Sequence, residues 1–569
     1  MSDQKVIKIN PPRKMTGKLR PTLKGRMVDA KALAEVRELL GNESRQRDLL
    51  IEHLHKIQDK YKCLSAAHLT ALASEMRLAT TEVYEVATFY HHFDVVREND
   101  IPPPQLTVRV CDSLSCAIAG AESLSEEIKA RIGKDVRVIH APCLGRCQHA
   151  PVAVVGQNPV DEATVGKVMD AVESGSVTAP IADYVDYEEY LKRGGYRTLK
   201  ECHEGIRKPA EVIEALSHAG LRGLGGAGMA TGRKWNIMLK TDPNGRILAM
   251  NADEGEPGTF KDRYFMESDP HRILEGMLIA AACLDLVDLY LYIRDEYAGA
   301  REIYHREVEK LVSRPPFGLK LPAIHLRRGA GAYICGEQSA MIESLEGKRG
   351  EPRLRPPFLT DVGLFGRPTL EHNVETLYWV RDIIEKGPEW FASYGRNGRK
   401  GLRAFSVSGR VRQPGVHLAP AGITMRELIA EYCGGMEEGH TFSAYLPGGA
   451  SGGILPASLG DIPLDFDTLQ PYGCFIGSAA VMVLSDKDSI AEAARNVMRF
   501  FTDESCGQCT PCRVGTAKAL RLMEARNWNT SLLEELSEAM VEASICGLGQ
   551  AAPNPVRSVI KYFPEEISK

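Results

Sequence analysis

The chain lacks any long uninterrupted apolar run. Crossing a bilayer takes about 18–20 apolar residues in sequence, and the most apolar stretch, 272–293, is broken by Glu275, Asp285 and Asp288. No apolar segment lies near the N-terminus, so no secretory signal is expected there. Charge of one sign is not in excess either. The 70 Lys+Arg residues face 75 Asp+Glu for a net −5, which leaves no footprint for generic nucleic-acid binding. Repeats and low-complexity tracts are absent. With 44% hydrophobic and 25% charged residues, the composition excludes a disordered chain, a collagen-like chain and a coiled-coil rod. What remains is a soluble, cytoplasmic protein, and 569 residues imply roughly three to five domains.

Eight Lys/Arg fall among the first 26 residues with Asp3 as their only opposing charge. That pattern reads as a solvated tail, with a docking arm or targeting segment as alternatives. From about 28 to 95 apolar residues recur at helical spacing, with Ser65 and Thr80 as N-caps. Ile101-Pro-Pro-Pro104 breaks that pattern. A β, α, β, β order follows over about 55 residues. It is built from Leu106–Val110, a helix over 123–132, Val136–Ile139 and Val152–Val155. Long helices alternate with short strands, such as 247–250 and 289–293, from about 200 to 400. Residues 402–485 are strand-rich with Pro-Gly turns, and the pattern is helical again from Ile490.

The 14 cysteines are read first as metal ligands or redox groups, not as a disulfide framework. Cys63, Cys202, Cys283, Cys335, Cys433 and Cys474 stand alone and are expected to be small buried hydrophobes. Cys111-x4-Cys116 and Cys143-x3-Cys147 place four thiols on two strand-end loops, a set that suits an iron–sulfur cluster or zinc. His149 follows Cys147 closely, but the second half of a Rieske pattern is missing. Cys506-x2-Cys509-x2-Cys512 with the remote Cys546 wraps a single [4Fe–4S] site, since Arg513-Val-Gly515 stands where a two-cluster ferredoxin continues to Cys and Pro.

Gly223-Leu-Gly225-Gly-Ala-Gly228 matches G-x-G-x-x-G, yet a helix, not a strand, is expected before it, so it is not a Rossmann turn. Its glycines still let backbone N–H groups approach an anion, with Lys234 adding charge. Asn251-Ala-Asp253-Glu254-Gly-Glu256, the small-residue loop 329–338 and the basic stretch 349–358 ending in Phe358 suit a ligand with a phosphate, a polyol and a planar ring.

Together these motifs resemble the flavoprotein subunit of respiratory complex I, and 28–175 is similar to its partner subunit, here fused in front. The same module occurs in NAD-dependent formate dehydrogenases and NAD-reducing hydrogenases. The resemblance implies a multidomain α/β and α architecture. After a basic tail (1–27) come a helical bundle (28–103) and a thioredoxin-like [2Fe–2S] domain (104–175). A linker (176–199) leads to an α/β FMN/NAD domain (200–400). A ubiquitin-like β-grasp (SLBB) domain (401–486) and a helical [4Fe–4S] domain (487–569) complete the chain.

The resemblance further implies FMN contacts from Gly223, Gly225, Lys234, Asn251, Asp253, Glu254, Tyr333, Gly336, Glu337 and Asn373. Glu256 would accept ribose hydroxyls and repel a 2′-phosphate, and Phe358 would stack on adenine. Gln338 and Arg355 complete the nucleotide set. Cys111, Cys116, Cys143 and Cys147 would ligate one cluster, and Cys506, Cys509, Cys512 and Cys546 the other. No side chain need act as acid or base, since the flavin carries the hydride. Met229, Gln338 and His372 depart from the family's Phe, Glu and Asn. The glycines of 447–453 are expected to be turns, in a domain that acts as a spacer.

The expected role is the NAD(H):FMN diaphorase subunit of a formate dehydrogenase, hetero-oligomeric, with formate oxidised on a separate molybdenum- or tungsten-pterin subunit. The alternatives are an NAD-reducing hydrogenase, a fused complex I subunit, and a colourless zinc scaffold.

Overall fold

The computed structural model describes residues 26–567; most of the basic tail lies outside them. Among the described residues no helix is long and apolar enough to cross a membrane.

The N-terminal unit packs helices Ala30–Leu40, Leu50–Tyr61, Ala66–Met76 and Thr80–Phe89 around Val36, Leu54, Leu72 and Val86. Ser65 caps the third helix by accepting from His68 N–H. At the fourth helix the cap differs from expectation. Thr80 is already helical, and Ala79 is the N-cap, its N–H bonded to the Glu82 carboxylate at 2.9 Å. Two short strands, Leu64–Ser65 and Val95–Val96, pair in parallel within this otherwise helical unit.

Next comes a four-stranded sheet ordered Val136–Ala141, Leu106–Cys111, Ala153–Val155, Asn158–Val160. Helices Ala121–Arg131 and Val165–Glu173 contribute Leu124, Ile128 and Val168 to its core. The expected β, α, β, β order holds, with one added edge strand. The stretch 176–199 is more than a connector. Tyr187, Tyr190 and Tyr196 are buried, and Glu275 accepts from Tyr190 Oη at 2.6 Å and Tyr196 N–H at 2.8 Å.

The central unit is a four-stranded sheet ordered Thr369–Asn373, Ile247–Ala252, Asp288–Ile293, Ala323–Arg328, parallel throughout. These strands are rich in Ile, Leu and Tyr because helices such as Pro270–Leu284 and Val374–Lys386 cover the sheet. Parallel pairing puts every strand's C-terminal end on one edge, where α/β sheets bind ligands.

A five-stranded mixed sheet follows, ordered Gly415–Pro420, Leu402–Gly409, Ala480–Ser485, Phe442–Leu446, Leu455–Pro456. Its first and last long strands, Leu402–Gly409 and Ala480–Ser485, are parallel neighbours. Helices Ile490–Asp503, Thr510–Met523, Thr530–Ala543 and Asn554–Tyr562 close the chain.

Candidate functional site

The expected flavin residues converge on the C-terminal edge of the parallel sheet. Asn251 and Asn373 are register partners on adjacent strands. Asn251 Nδ2 donates to Gly336 O at 2.9 Å and to Glu371 Oε1 at 3.1 Å, tying the 333–336 turn to the sheet. Lys234, on helix Thr231–Leu239, reaches Glu371 Oε2 at 3.0 Å and also donates to the Glu371 carbonyl. Asn373 Nδ2 donates to Asp262 Oδ2 at 2.6 Å.

Strand alternation explains the departure at His372. Glu371 and Asn373 face the site, while the buried His372 accepts from Trp235 Nε1 at 2.7 Å on the opposite face. Burial, then the Lys234 charge, holds His372 well below the ordinary imidazole range, so it stays neutral.

The glycine loop follows helix Pro209–Ala219, as expected, and not a strand. A Cβ at Gly225 would sit 2.9 Å from Asn373 Cβ, and Gly226 and Gly228 have φ of +139° and +66°. Among the described residues the N–H groups of Gly225, Gly226 and Ala227 find no protein acceptor. Asp253 Oδ2 is also buried without a partner, and burial pushes that carboxyl well above its ordinary range. Unsatisfied donors in a glycine cradle suit a phosphate. An orphaned carboxylate oxygen suits a polyol or a ring N–H.

Not every expected residue turns into this cradle. Both Glu254 oxygens are taken inside the protein: Oε1 by Asp262 N–H at 2.8 Å, Oε2 by Arg263 N–H at 3.1 Å and Tyr297 Oη at 2.8 Å. Its side chain anchors helix Lys261–Ser268 and leaves only backbone for a ligand. Glu337 caps helix Gln338–Leu345 through Ser339 and Ala340 N–H and pairs with Arg355. With its amide oxygen turned to the guanidinium, Gln338 accepts from Arg355 Nη1 and Nη2 at 2.9 and 2.8 Å. Met229 and Phe358 are exposed at the mouth, 37% and 55% accessible.

Sequence reasoning missed Lys261. It is fully buried between Asp262 Oδ1 at 2.8 Å and Glu375 Oε2 at 2.9 Å, and 3.5 Å from Asn373 Oδ1. Burial works to discharge it, but Asp262, Glu375 and Glu254 outweigh burial and raise its pKa. The one signal available was its place directly after the acidic loop.

The N-terminal cysteine set closes as a donor group, and the C-terminal four lie within electrostatic reach of one another. Cys111, Cys116, Cys143 and Cys147 are all buried. Cys143 and Cys147 Sγ lie 3.3 Å apart, and Cys116 is hydrogen-bonded to Cys111. The Cys147 hydrogen bond, with Arg294 and the Gly145 N–H assisting against burial, brings the Cys143 thiol down to about 6. His149 lies partly exposed beside Asp161, outside the four. In the C-terminal unit Cys509 and Cys546 are the N-caps of helices Thr510–Met523 and Gly547–Ala551, and burial pushes the Cys546 thiol up to about 12. Gly549 admits Cys512, since a Cβ there would come 2.9 Å from Cys512 Cβ. All-thiol sets without carboxylate or imidazole fit iron–sulfur clusters. The six lone cysteines lie apart from both sets, all buried except the half-buried Cys202, which hydrogen-bonds Cys283.

Four sequence families match in chain order. Residues 36–175 match the thioredoxin-like [2Fe–2S] ferredoxin, 216–382 the Nuo51 FMN-binding domain and 405–455 the SLBB domain. Residues 492–569 match the NADH-ubiquinone oxidoreductase-F iron–sulfur binding region. The F 2 subunit of NADH-quinone oxidoreductase from Rhizobium meliloti (strain 1021) is 41% identical over 389 residues, 66% of this chain and 92% of that relative. The chain belongs to the F-subunit family of NADH-quinone oxidoreductases.

The F subunit of Aquifex aeolicus (strain VF5) is 40% identical over 394 residues, covering 67% of this chain and 90% of that one. A solved NAD+-reducing [NiFe]-hydrogenase, in its air-oxidised state, has a chain with a TM-score of 0.80 and 31% identity. The match covers 92% of this chain and 94% of that one, so its span extends into the fused N-terminal region. This member of the F-subunit family is part of an NAD-dependent oxidoreductase and uses FMN, NAD, a [2Fe–2S] and a [4Fe–4S] cluster. FMN supplies exchange of a hydride on one side and of single electrons on the other.

The sites are close to one another. Tyr333 N–H donates to Glu504 Oε2 at 2.9 Å, two residues before Cys506, and its ring lies 4.9 Å from that of Phe500. Arg294 Nη2 holds Cys143 O at 2.8 Å while Nη1 holds Glu254 O.

Proposed function

We propose that this chain is the NAD(H):FMN diaphorase subunit of a formate dehydrogenase, passing electrons to or from a molybdenum- or tungsten-pterin subunit that oxidises formate. In this reading Gly223, Gly225 and Lys234 anchor the FMN phosphate. Asn251, Asp253, Tyr333, Gly336 and Asn373 position the rest of it, with Glu337 acting from behind through its helix cap and Arg355. Glu256, Gln338, Arg355 and Phe358 form the nucleotide side. Cys111, Cys116, Cys143 and Cys147 ligate the [2Fe–2S] cluster, and Cys506, Cys509, Cys512 and Cys546 the [4Fe–4S] cluster. The domain boundaries expected above belong to the same reading.

The observation that carries the diaphorase assignment is the cradle itself. Unpaired N–H groups and the orphaned Asp253 oxygen lie on a sheet edge that shares Tyr333 and Glu504 with the four-thiol site. The fused order and the complete N-terminal thiol set favour a formate dehydrogenase or a hydrogenase over separate complex I subunits, and the stretch His372-Asn-Val-Glu-Thr-Leu-Tyr-Trp379 supports the formate partner. The hydrogenase neighbour's likeness over 92% of the chain favours a second reading, the same diaphorase beside a nickel-bearing partner.

Metal analysis of the complex purified anaerobically from its native host separates the two. Molybdenum or tungsten without nickel, with formate-dependent NAD+ reduction, is the expected result. Nickel overturns the formate assignment, and a large detergent-requiring assembly with none of these metals returns it to the respiratory complex.

A further inference from the structure

The glycine-rich loop 447–453 of the mixed sheet was expected to be turns in a spacer. It instead enters the nucleotide side of the site. Ser451 N–H and Ser451 Oγ both donate to Glu256 Oε1 at 2.7 Å, and Tyr333 Oη donates to Glu256 Oε2. An ionised carboxylate offers about four lone-pair directions. With three donors in place it cannot swing, and about one direction is left for a ligand hydroxyl.

The loop is shaped for this contact. Gly449 has φ +81°, and a Cβ there would lie 2.6 Å from Glu256 Cγ. Ser451 is itself pinned from behind. Its carbonyl accepts from Asn554 Nδ2 at 2.9 Å, and Ile454 N–H donates to Ser558 Oγ at 3.0 Å, both partners lying on the C-terminal helix Asn554–Tyr562. Two units therefore meet at one carboxylate, and a third braces the loop from behind.

We propose that Ser451 is a positioning residue for NAD(H) recognition, holding Glu256 in the orientation that accepts a ribose hydroxyl. This rests on the reading that Glu256 meets the nucleotide. Orientation fixed before binding lowers the ordering cost of the complex. Burial raises the Glu256 carboxyl, and these same bonds oppose that rise without cancelling it.

The test uses the purified complex with its flavin and iron in place and titrates NAD+ into the oxidised protein by calorimetry. Ser451→Ala is expected to weaken NAD+ about tenfold, the scale of a lost charge-assisted bond. It should raise KM for NADH with kcat within about twofold and leave flavin content intact. Ser451→Thr, which keeps the hydroxyl, should restore affinity. In a Glu256→Gln background the Ser451→Ala change should add less than about twofold.

If Glu256→Gln weakens NAD+ while Ser451→Ala does not, Ser451 does not position Glu256 and the proposal falls, with the role of Glu256 intact. Fully additive losses overturn it as well. If neither variant changes affinity, the reading of Glu256 fails and takes the proposal with it. Should Ser451→Ala lose flavin, Ser451→Cys keeps the volume with a weaker donor and is judged by the same outcomes.

Discussion

Gln338 stands where the family's carboxylate is expected, and it bonds Arg355 beside Glu337. Gln338→Glu adds a charge next to the proposed flavin site. It should lower the flavin midpoint potential by about 30 mV, a tenfold change for a two-electron couple. Spectroelectrochemical titration reads this, and an unchanged potential with unchanged NAD+ affinity would overturn the expected role.

Lys261→Met leaves Asp262 and Glu375 buried without their cation, which should cost about 3–5 kcal/mol in denaturant unfolding of the flavin domain. The contrast between these residues shows what sequence can convey. Gln338 was legible because motif positions lie a few residues apart. Lys261 and Ser451 were not, because Glu375 and Glu256, the partners that give them their roles, lie more than a hundred residues away and only packing brings them together.

Helix Lys261–Ser268 begins at Phe260, which has no capping side chain, and draws its cap from Glu254 in the preceding loop. Burial first, and then the Asp262 charge, raises the Glu254 carboxyl from 4.5 to about 7. Between those values the folded chain holds a proton that the unfolded chain releases. The stabilisation linked to Glu254 is therefore complete below pH 4.5 and is lost as pH rises through about 7, with a slope of up to about 1.4 kcal/mol per unit. Thermal unfolding across this window should show the slope, and Glu254→Gln should flatten it.

Such a cap is not readable from spacing rules, which look one to three residues ahead of a helix. Ala79 defeated them for a different reason: it has no capping side chain, and its own N–H is held by Glu82 three residues on. Periodicity did better. It placed strands at 247–250 and 289–293, inside the observed Ile247–Ala252 and Asp288–Ile293, and it did not single out Ala323–Arg328 or Thr369–Asn373, whose polar ends obscure the pattern.

At the scale of the whole molecule, the N-terminal helices grip the flavin domain by its loops. His91 and His92 N–H donate to Gly331 O and Ala330 O at 3.3 and 3.2 Å, and His55 Nε2 meets Gly329 O at 2.9 Å. His92 also faces Asp295, whose charge is shared with Arg301 and Arg328. Gly347, with φ +71°, permits the seam, since a Cβ there would fall 1.9 Å from Arg47 O. Gly347→Ala should open that seam. Limited proteolysis would then release the N-terminal half faster than from the parent, with flavin content retained. The order of domains was legible from composition shifts and cysteine spacing. The seam was not, because no motif encodes a surface that matches another part of its own chain. That both halves share one backbone has a further consequence. Docking across the seam is intramolecular, governed by an effective concentration of order millimolar and not by how much of each half a cell makes. Every molecule is synthesised with one of each cluster-bearing half, so dilution cannot separate them and their ratio needs no regulation.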